Sequence, residues 1–415
     1  MLQYNPRTGS AGKPGSYTGG AEMAGTKARR AELAGVAAVP MAVLLLVVLC
    51  VYASTYLLIS LLPVHIRNMG HSEASVGTIM SLFSIAALLT RPFAGVLADR
   101  AGRAYSIFIG GLFIGVSCIG YAMSGPNTIW LARFINGIGW GAVTAATATV
   151  AADLAPPNRR GTVLGVYGTV TGLALAVGPS VGIWLSHHVS LNVSFIVASV
   201  CGFGAAVAIL FLHAPAPPRL ATRQRIGMAQ LFTKSAVGPA LIMLCFSLIY
   251  GTVLTFIPLM TIDRGLGDSG PFFAIFAVGL IFLRISGGGL SDRLGRFAVI
   301  GPGFVSCAIA MFVLAYTHSQ LTLFSGAILF AIAFAFVQPA SQAWAIDHSP
   351  DHARATTLST VVAAQDFGIS FGAIGAGFIA DGLGYTSLFI VAMGVAVCGL
   401  AVAATVHFKT ARASV

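Results

Sequence analysis

One acidic side chain in this 415-residue chain lies deep within an apolar run: Asp366, in "AAQDFGISFGAIGAG". At 1.5 Å per helical residue it stands more than ~12 Å from either end of that run. A carboxyl there is expensive, roughly 2.5–3.5 kcal/mol on insertion scales, so its first reading is a working group that takes up and releases a proton. The plainer alternative is a buried polar contact with Gln365 or a neighbouring helix. Arg133, in "WLARFINGIGWGAVTAA", is a second ionisable group in an apolar run, followed by Gly137 and Gly141 on the same helical face. The remaining chemistry is a pattern written twice, "GVLADRAGRA" (95–104) and "GGLSDRLGRF" (288–297). No catalytic constellation competes. The histidines lie mostly at the ends of apolar runs, and the His187–His188 pair has no Cys or carboxylate beside it in sequence. "GIGWG" (137–141) lacks the Lys-Ser/Thr of a phosphate loop. The six cysteines fall inside apolar runs without a CxxC, which argues against a disulfide framework or a zinc site. The expectation is a non-enzyme without cofactor or metal.

The elements that position these groups follow from composition. Charged residues are 8% of the chain and apolar residues 57%, whereas a soluble domain carries about a quarter charged residues. Runs of roughly 20 apolar residues, enough to cross a bilayer, fill most of the chain from Val39 onward. Twelve spans are expected, at 39–62, 75–98, 104–124, 128–152, 162–186, 192–213, 236–260, 271–291, 297–317, 321–346, 356–380 and 385–407. The 49 glycines suit helices that pack closely through small residues. Residues 1–37 are rich in Gly, Ser and Thr, with no apolar core of a signal peptide, and read as a disordered cytosolic tail. Of the 23 Lys and Arg, only Arg67 and Arg264 fall on the outer side and Arg91, Arg133 and Arg284 within spans. The rest fall on the side of the termini, which places both termini in the cytosol. The net charge of +11 is then turned toward anionic lipid, and no nucleic-acid partner is needed to explain it.

The chain also repeats itself. "LLPVHIRNMG" (61–70) matches "FIPLMTIDRG" (256–265), "RPFAGVLADRAGR" (91–103) matches "RISGGGLSDRLGR" (284–296), and "AADLAPPNRRGT" (151–162) matches "WAIDHSPDHARAT" (344–356). Three matches in one order, each close to 194 positions apart, mean a six-helix unit duplicated in parallel. The expected organisation is an N-terminal bundle (38–213), a cytosolic linker (214–235), a C-terminal bundle (236–408) and a short cytosolic tail (409–415).

With these residues the chain resembles the major facilitator superfamily, and within it the twelve-helix proton-coupled exporters. The pattern Gly-x-Leu-x-Asp-Arg-x-Gly-Arg after span 2 is met by Gly95, Leu97, Asp99, Arg100, Gly102 and Arg103. Gly288, Leu290, Asp292, Arg293, Gly295 and Arg296 meet it again. Gly95 and Gly288 are expected to let a helix end approach a neighbour, and Gly102 and Gly295 to permit a tight turn. The resemblance implies that the Asp and Arg groups form a charged cytosolic clasp between the halves, a gate for alternating access. The alternative is a determinant that only keeps the loop cytosolic. Asp153 and Arg160, with Asp347 and Arg354 in the second half, resemble the partners of that clasp. Arg91 and Arg284 obey the repeat and read as structural groups that snorkel to the inner face. Arg133 with its glycines matches the family's span-4 pattern, whose arginine is implicated in proton movement.

Span 5, "GVYGTVTGLALAVGPSVGIW", resembles the antiporter helix of the family through Gly165, Gly178, Pro179 and Gly182, with Ala174 and Ile183 replacing two glycines. Tyr52, Tyr56, Tyr250, Gln338, Gln342 and Gln365 are candidate lining of a central cavity, suited to a neutral or amphipathic solute. The combined expectation is an all-α integral membrane protein of twelve helices in two pseudo-symmetric bundles. It is a monomer of the bacterial cytoplasmic membrane, working by proton-coupled export of a small organic molecule through Asp366 and Arg133. Uptake or facilitated diffusion on the same fold is the alternative, and a membrane sensor a more distant one.

Overall fold

The computed structural model describes residues 19–155, 160–212, 236–287, 290–349 and 354–413, and all described regular elements are helices. In the first half these are α1 (Gly19–Ile59), α2 (Leu61–Asn68), α3 (Glu73–Ala101), α4 (Arg103–Met123), α5 (Ile129–Leu154), α6 (Arg160–His188) and α7 (Leu191–Ile209). In the second they are α8 (Val237–Asp263), α9 (Gly270–Gly287), α10 (Leu290–Leu294), α11 (Arg296–Ala315), α12 (Gln320–Asp347) and α13 (Arg354–Ala413). Among the described residues nine helical stretches are long and apolar enough to cross a membrane, and Gly270–Arg284 is a shorter apolar one. The 60-residue α13 holds two helices, because Gly384 breaks it at φ 76°, ψ 173°. With α5 and α9 the set is consistent with twelve crossings.

Two turns repeat between the halves for one reason. Gly102, between α3 and α4, has φ 97°, and Gly295, between α10 and α11, has φ 93°. A Cβ would strain that backbone, so the glycine of the repeated motif sets each hairpin. The same motif's Gly95 does not act as expected. It is exposed, and a Cβ there would meet nothing within 4 Å, so no neighbouring helix requires it. Gly288 lies outside the described residues.

Close helix packing is carried elsewhere. Gly137 and Gly141 of α5 press on the backbone of α3 at Phe83 and Ala87. A methyl group at Gly141 would stand 2.6 Å from the Ala87 carbonyl oxygen. In the second half Gly251 of α8 meets Ile369, while Gly368 and Gly372 of α13 meet Leu244, Ser247 and Leu248 of α8. With little apolar driving force between helices in lipid, such close backbone approach is what holds them together.

The start of α1 departs from expectation. It begins at Gly19, inside the stretch read as a disordered tail. The segment "AEMAGTKARRAELAGVAA" explains the difference: it is dominated by Ala, Glu, Lys, Arg and Leu, which are strong helix formers.

The halves meet chiefly through α3 with α13 and α6 with α9, and more lightly through α2 and α3 with α8. These contacts place the groups of the next section.

Candidate functional site

Asp366 sits on the first part of α13, 8% exposed. It faces Arg91 of α3, whose Nη2 lies 2.9 Å from Oδ2. The pair therefore joins the two halves inside the apolar layer. This corrects the reading of Arg91 as a structural group that snorkels to the inner face. A carboxylate on the facing helix gives its charge a closer partner than the interface does. Neither Arg91 nor Asp366 was a signal for the other, since the first lies in a conserved-looking repeat and the second does not.

Two aromatic groups also stand in the interior, one in each half. In the first, Tyr52 packs its ring 4.7 Å from Trp140, and Tyr56 stands 6.1 Å from the same indole. The Tyr52 hydroxyl lies 3.5 Å from that of Tyr167, which in turn reaches Thr147 Oγ1 at 3.2 Å. In the second, Tyr250 packs 4.9 Å from Phe334. Arg284 of α9 lies over Phe334 at 5.8 Å and donates from Nη2 to Gln338 Oε1 at 2.9 Å. Tyr56 and Tyr250 are both within electrostatic reach of Arg284. Of the six residues expected at a central cavity, Tyr52, Tyr56, Tyr250 and Gln338 thus gather around Trp140 and Phe334. Gln342 and Gln365 are half-buried. Trp140, Tyr167 and Phe334 were missed, because a lone aromatic in an apolar helix carries no sequence signal.

Arg133 is placed elsewhere. It is 6% exposed on α5, over the Phe83 ring at 4.5 Å and near Tyr121 of α4. Its described contacts are all in its own half, and none of them is Asp366. Gly178 and Gly182 of α6 press on α1 at Tyr56 and Leu57, where a methyl group on Gly178 would meet the Tyr56 Cβ at 2.9 Å. Pro179 and the substituted Ala174 and Ile183 are buried in the same helix. Gly165 lies on α6, and its surroundings are outside the described residues.

The repeated Asp-Arg motifs form pairs, but within each half. Arg103, at the start of α4, pairs with Asp153 at the end of α5. Arg296, at the start of α11, pairs through Nε with Asp347 Oδ2 at 2.7 Å and through Nη1 with Ser291 Oγ at 2.7 Å. The implied clasp between halves is therefore corrected for these residues to a staple between consecutive helices of one bundle. Each pair joins the start of one helix to the end of the next in the same bundle. Arg100 and Arg293 are exposed. The side chains of Asp99, Arg160, Asp292 and Arg354 lie outside the described residues.

A contact between halves stands instead at the end opposite the termini. Arg67 of α2 reaches both carboxylate oxygens of Asp263 of α8, at 2.7 and 2.8 Å, and Glu73 at 3.3 Å. Tyr385 donates to Glu73 at 2.8 Å. At that end Gly77 of α3 also abuts Ala373 of α13, and Ser180 of α6 donates to the Gly270 carbonyl at 3.4 Å.

The geometry is that of two duplicated helical bundles tied together at the end opposite the termini, with an ion pair between them inside the apolar layer. A family model described as Major Facilitator Superfamily matches residues 44–320 and 272–414. The chain belongs to the major facilitator superfamily. It is 24% identical over 384 residues to the staphylopine export protein of Staphylococcus aureus, covering 89% of this chain and 94% of that one. The quinolone resistance protein NorA of Staphylococcus aureus is 27% identical over 215 residues, 50% of this chain and 55% of its own length. Among solved structures, the peptide transporter POT in complex with sulfate superposes with a TM-score of 0.77 at 14% identity, covering 90% of this chain and 95% of that one. This member of the superfamily is accordingly a multi-pass membrane transporter, and its named relatives are transporters rather than enzymes.

Proposed function

We propose that this protein is a proton-coupled antiporter that exports a small organic molecule from the cytosol by alternating access. The observation that carries the reading is the Arg91–Asp366 pair, an ion pair between α3 and α13 inside the apolar layer. A proton on Asp366 removes its charge and with it the attraction that ties those helices together. Proton binding then favours one arrangement of the halves over the other, as coupling requires. Deprotonation restores the pair. The closed end at Arg67, Asp263 and Tyr385 supports the cycle. With the termini in the cytosol, that end faces outward, and the chain rests in a cytosol-facing state with Asp366 ionised and ready for solute. A proton entering down a potential of ~100 mV supplies about 2.3 kcal/mol, before any pH gradient is counted. Export, rather than uptake, draws support from the staphylopine export and quinolone resistance relatives. Arg133, with contacts only to its own half, takes a supporting part in the rearrangement of α3, α4 and α5.

The test uses everted membrane vesicles, acidified inside by respiration, with a quinolone as the probe solute and a pH-sensitive dye as the reporter. Adding the quinolone to wild-type vesicles is expected to discharge the pH gradient, while Asp366→Asn vesicles behave as vesicles without the protein. Equal discharge by wild type and Asp366→Asn would remove Asp366 from coupling. Discharge that needs the quinolone loaded inside the vesicle, so that solute and proton leave together, would replace antiport by symport.

A further inference from the structure

The duplication sets two buried arginines in equivalent places and gives only one of them a carboxylate. Arg91 and Arg284 are aligned by the repeat, and so are Gly172 and Asp366. In one relation, Arg91 of the first half meets Asp366 of the second. In the mirrored relation, Arg284 of the second half meets Gly172 of the first. A Cβ built on Gly172 would find Arg284 Nη1 at 3.9 Å and no other described atom within 4 Å. An aspartate at position 172 would bring its oxygens to the guanidinium, as Asp366 does at Arg91. The carboxylate has been left out and the space beside it kept.

The partners of Arg284 among the described residues are all neutral. They are the amide oxygen of Gln338, the face of Phe334, and the nearby Tyr56 and Tyr250. Among the described residues Arg284 takes part in no ion pair. An arginine in an apolar layer is costly unless an anion compensates it. The guanidinium is planar with paired N–H donors, a fit for the two oxygens of a carboxylate. One of its nitrogens is held by Gln338 and others remain for such a ligand.

We propose that Arg284, facing the open position at Gly172, is the subsite for a carboxylate group of the transported solute. The solute's carboxylate takes the place that Asp366 fills at Arg91. Tyr56 from α1 and Tyr250 from α8 flank it, so that a bound solute touches both halves. This rests on the reading of the chain as a transporter of small organic molecules and revises the expected solute from neutral to anionic at one end. It also gives Asp366 and the solute equivalent positions on the two sides of the pseudo-symmetry axis.

Equilibrium binding tests this without any proton gradient or direction of transport, so failure of the antiport reading leaves it intact and the reverse also holds. The probes are 1-naphthoate and its uncharged amide, 1-naphthamide, titrated into the full-length protein in lipid nanodiscs and followed by tryptophan fluorescence. The acid is expected to bind about 10–100-fold tighter than the amide, the worth of a hydrogen bond to a charged group. Arg284→Gln should bring acid and amide to equal affinity, and Arg284→Lys should keep part of the difference. Gly172→Asp, which fills the open place with the missing carboxylate, should abolish acid binding and spare the amide, whereas Gly172→Ala should preserve the preference. Melting curves for each variant establish that it is folded. Equal affinity for acid and amide in the wild type, no binding of the acid, or a preference that survives Arg284→Gln would each overturn the assignment.

Discussion

In the first half, Arg103 at the start of α4 holds Asp153 at the end of α5, and in the second Arg296 holds Asp347 between α11 and α12. At mid-membrane the halves part company. Arg91 has Asp366 as its partner, while Arg284 has an amide, two phenols and a phenyl ring. Duplication copied both arginines, so the difference lies in what stands opposite. Elements kept in both copies, the hairpin glycines and the inner-end ion pairs, serve the fold of each bundle. The element present in one copy only is a carboxylate at the seam between bundles, where a change of charge acts on their relative position.

The largest effect should come from splitting the Arg91–Asp366 pair, which crosses the seam inside the apolar layer. Arg91→Gln leaves Asp366 facing a neutral amide. Breaking a fully buried pair costs about 3–5 kcal/mol. Arg91 is 24% exposed and Asp366 11% at the side chain, so the loss is discounted for solvent screening to about 2 kcal/mol. The apparent melting temperature of the protein in nanodiscs reads it. Adding Asp366→Asn to Arg91→Gln should recover more than half of the loss, because no unpaired charge remains. A double variant as unstable as the single one would show that the pair contributes nothing. The mirrored substitution, Arg284→Gln, removes a cation that has only neutral partners. It should leave the melting temperature unchanged or raised, and a fall as large as that of Arg91→Gln would erase the distinction between the halves.

A second contrast lies within α6. A methyl group on Gly182 would run into the Leu57 carbonyl of α1, whereas on Gly172 it meets only a guanidinium nitrogen at contact distance. Gly182→Ala should therefore cost about 1–3 kcal/mol through overpacking. Gly172→Ala should be neutral or gain up to about 1 kcal/mol from helix propensity. Melting temperatures of the two variants, measured side by side, check the sign as well as the size. Equal effects would mean that α6 does not rest on α1 as tightly as the backbone geometry requires.

Much of this architecture was legible in the order of residues. The repeat at offsets near 194 marked a duplicated unit. The glycines at 102 and 295 announced the hairpin turns, because an Asp-Arg-x-Gly-Arg motif after an apolar run has few other uses. Asp366 stood out because a carboxyl in an apolar run is expensive. What could not be read was pairing between halves. Arg91 looked like one more repeated arginine, and only the packing of α3 on α13 turns it toward Asp366. The same limit hid the contact of Arg67 with Asp263, although both are among the few charged residues at the end opposite the termini. It also misdirected the repeated motif, whose Arg103 and Arg296 pair within their own bundles. The helix from Gly19 was missed for a different reason: glycine and threonine near the start outweighed an alanine-rich stretch that favours helix.

The smallest expected effect tests whether the repeated pairs are staples or gates. Asp153 and Asp347 are each 44% exposed at the side chain, and exposed ion pairs contribute about 0.2–1 kcal/mol. Arg103→Gln and Arg296→Gln should thus lower stability by similar small amounts, since each unties one hairpin of one bundle. Neither pair spans the seam, so the free-energy difference between the two arrangements of the halves does not contain it. Quinolone-driven discharge of the pH gradient in everted vesicles should then proceed at near wild-type rate in both variants. A variant that keeps its melting temperature but loses transport would contradict this. It would mean that the freed arginine or carboxylate has a partner in the opposite half in the other arrangement, and the inner motif would again be a gate.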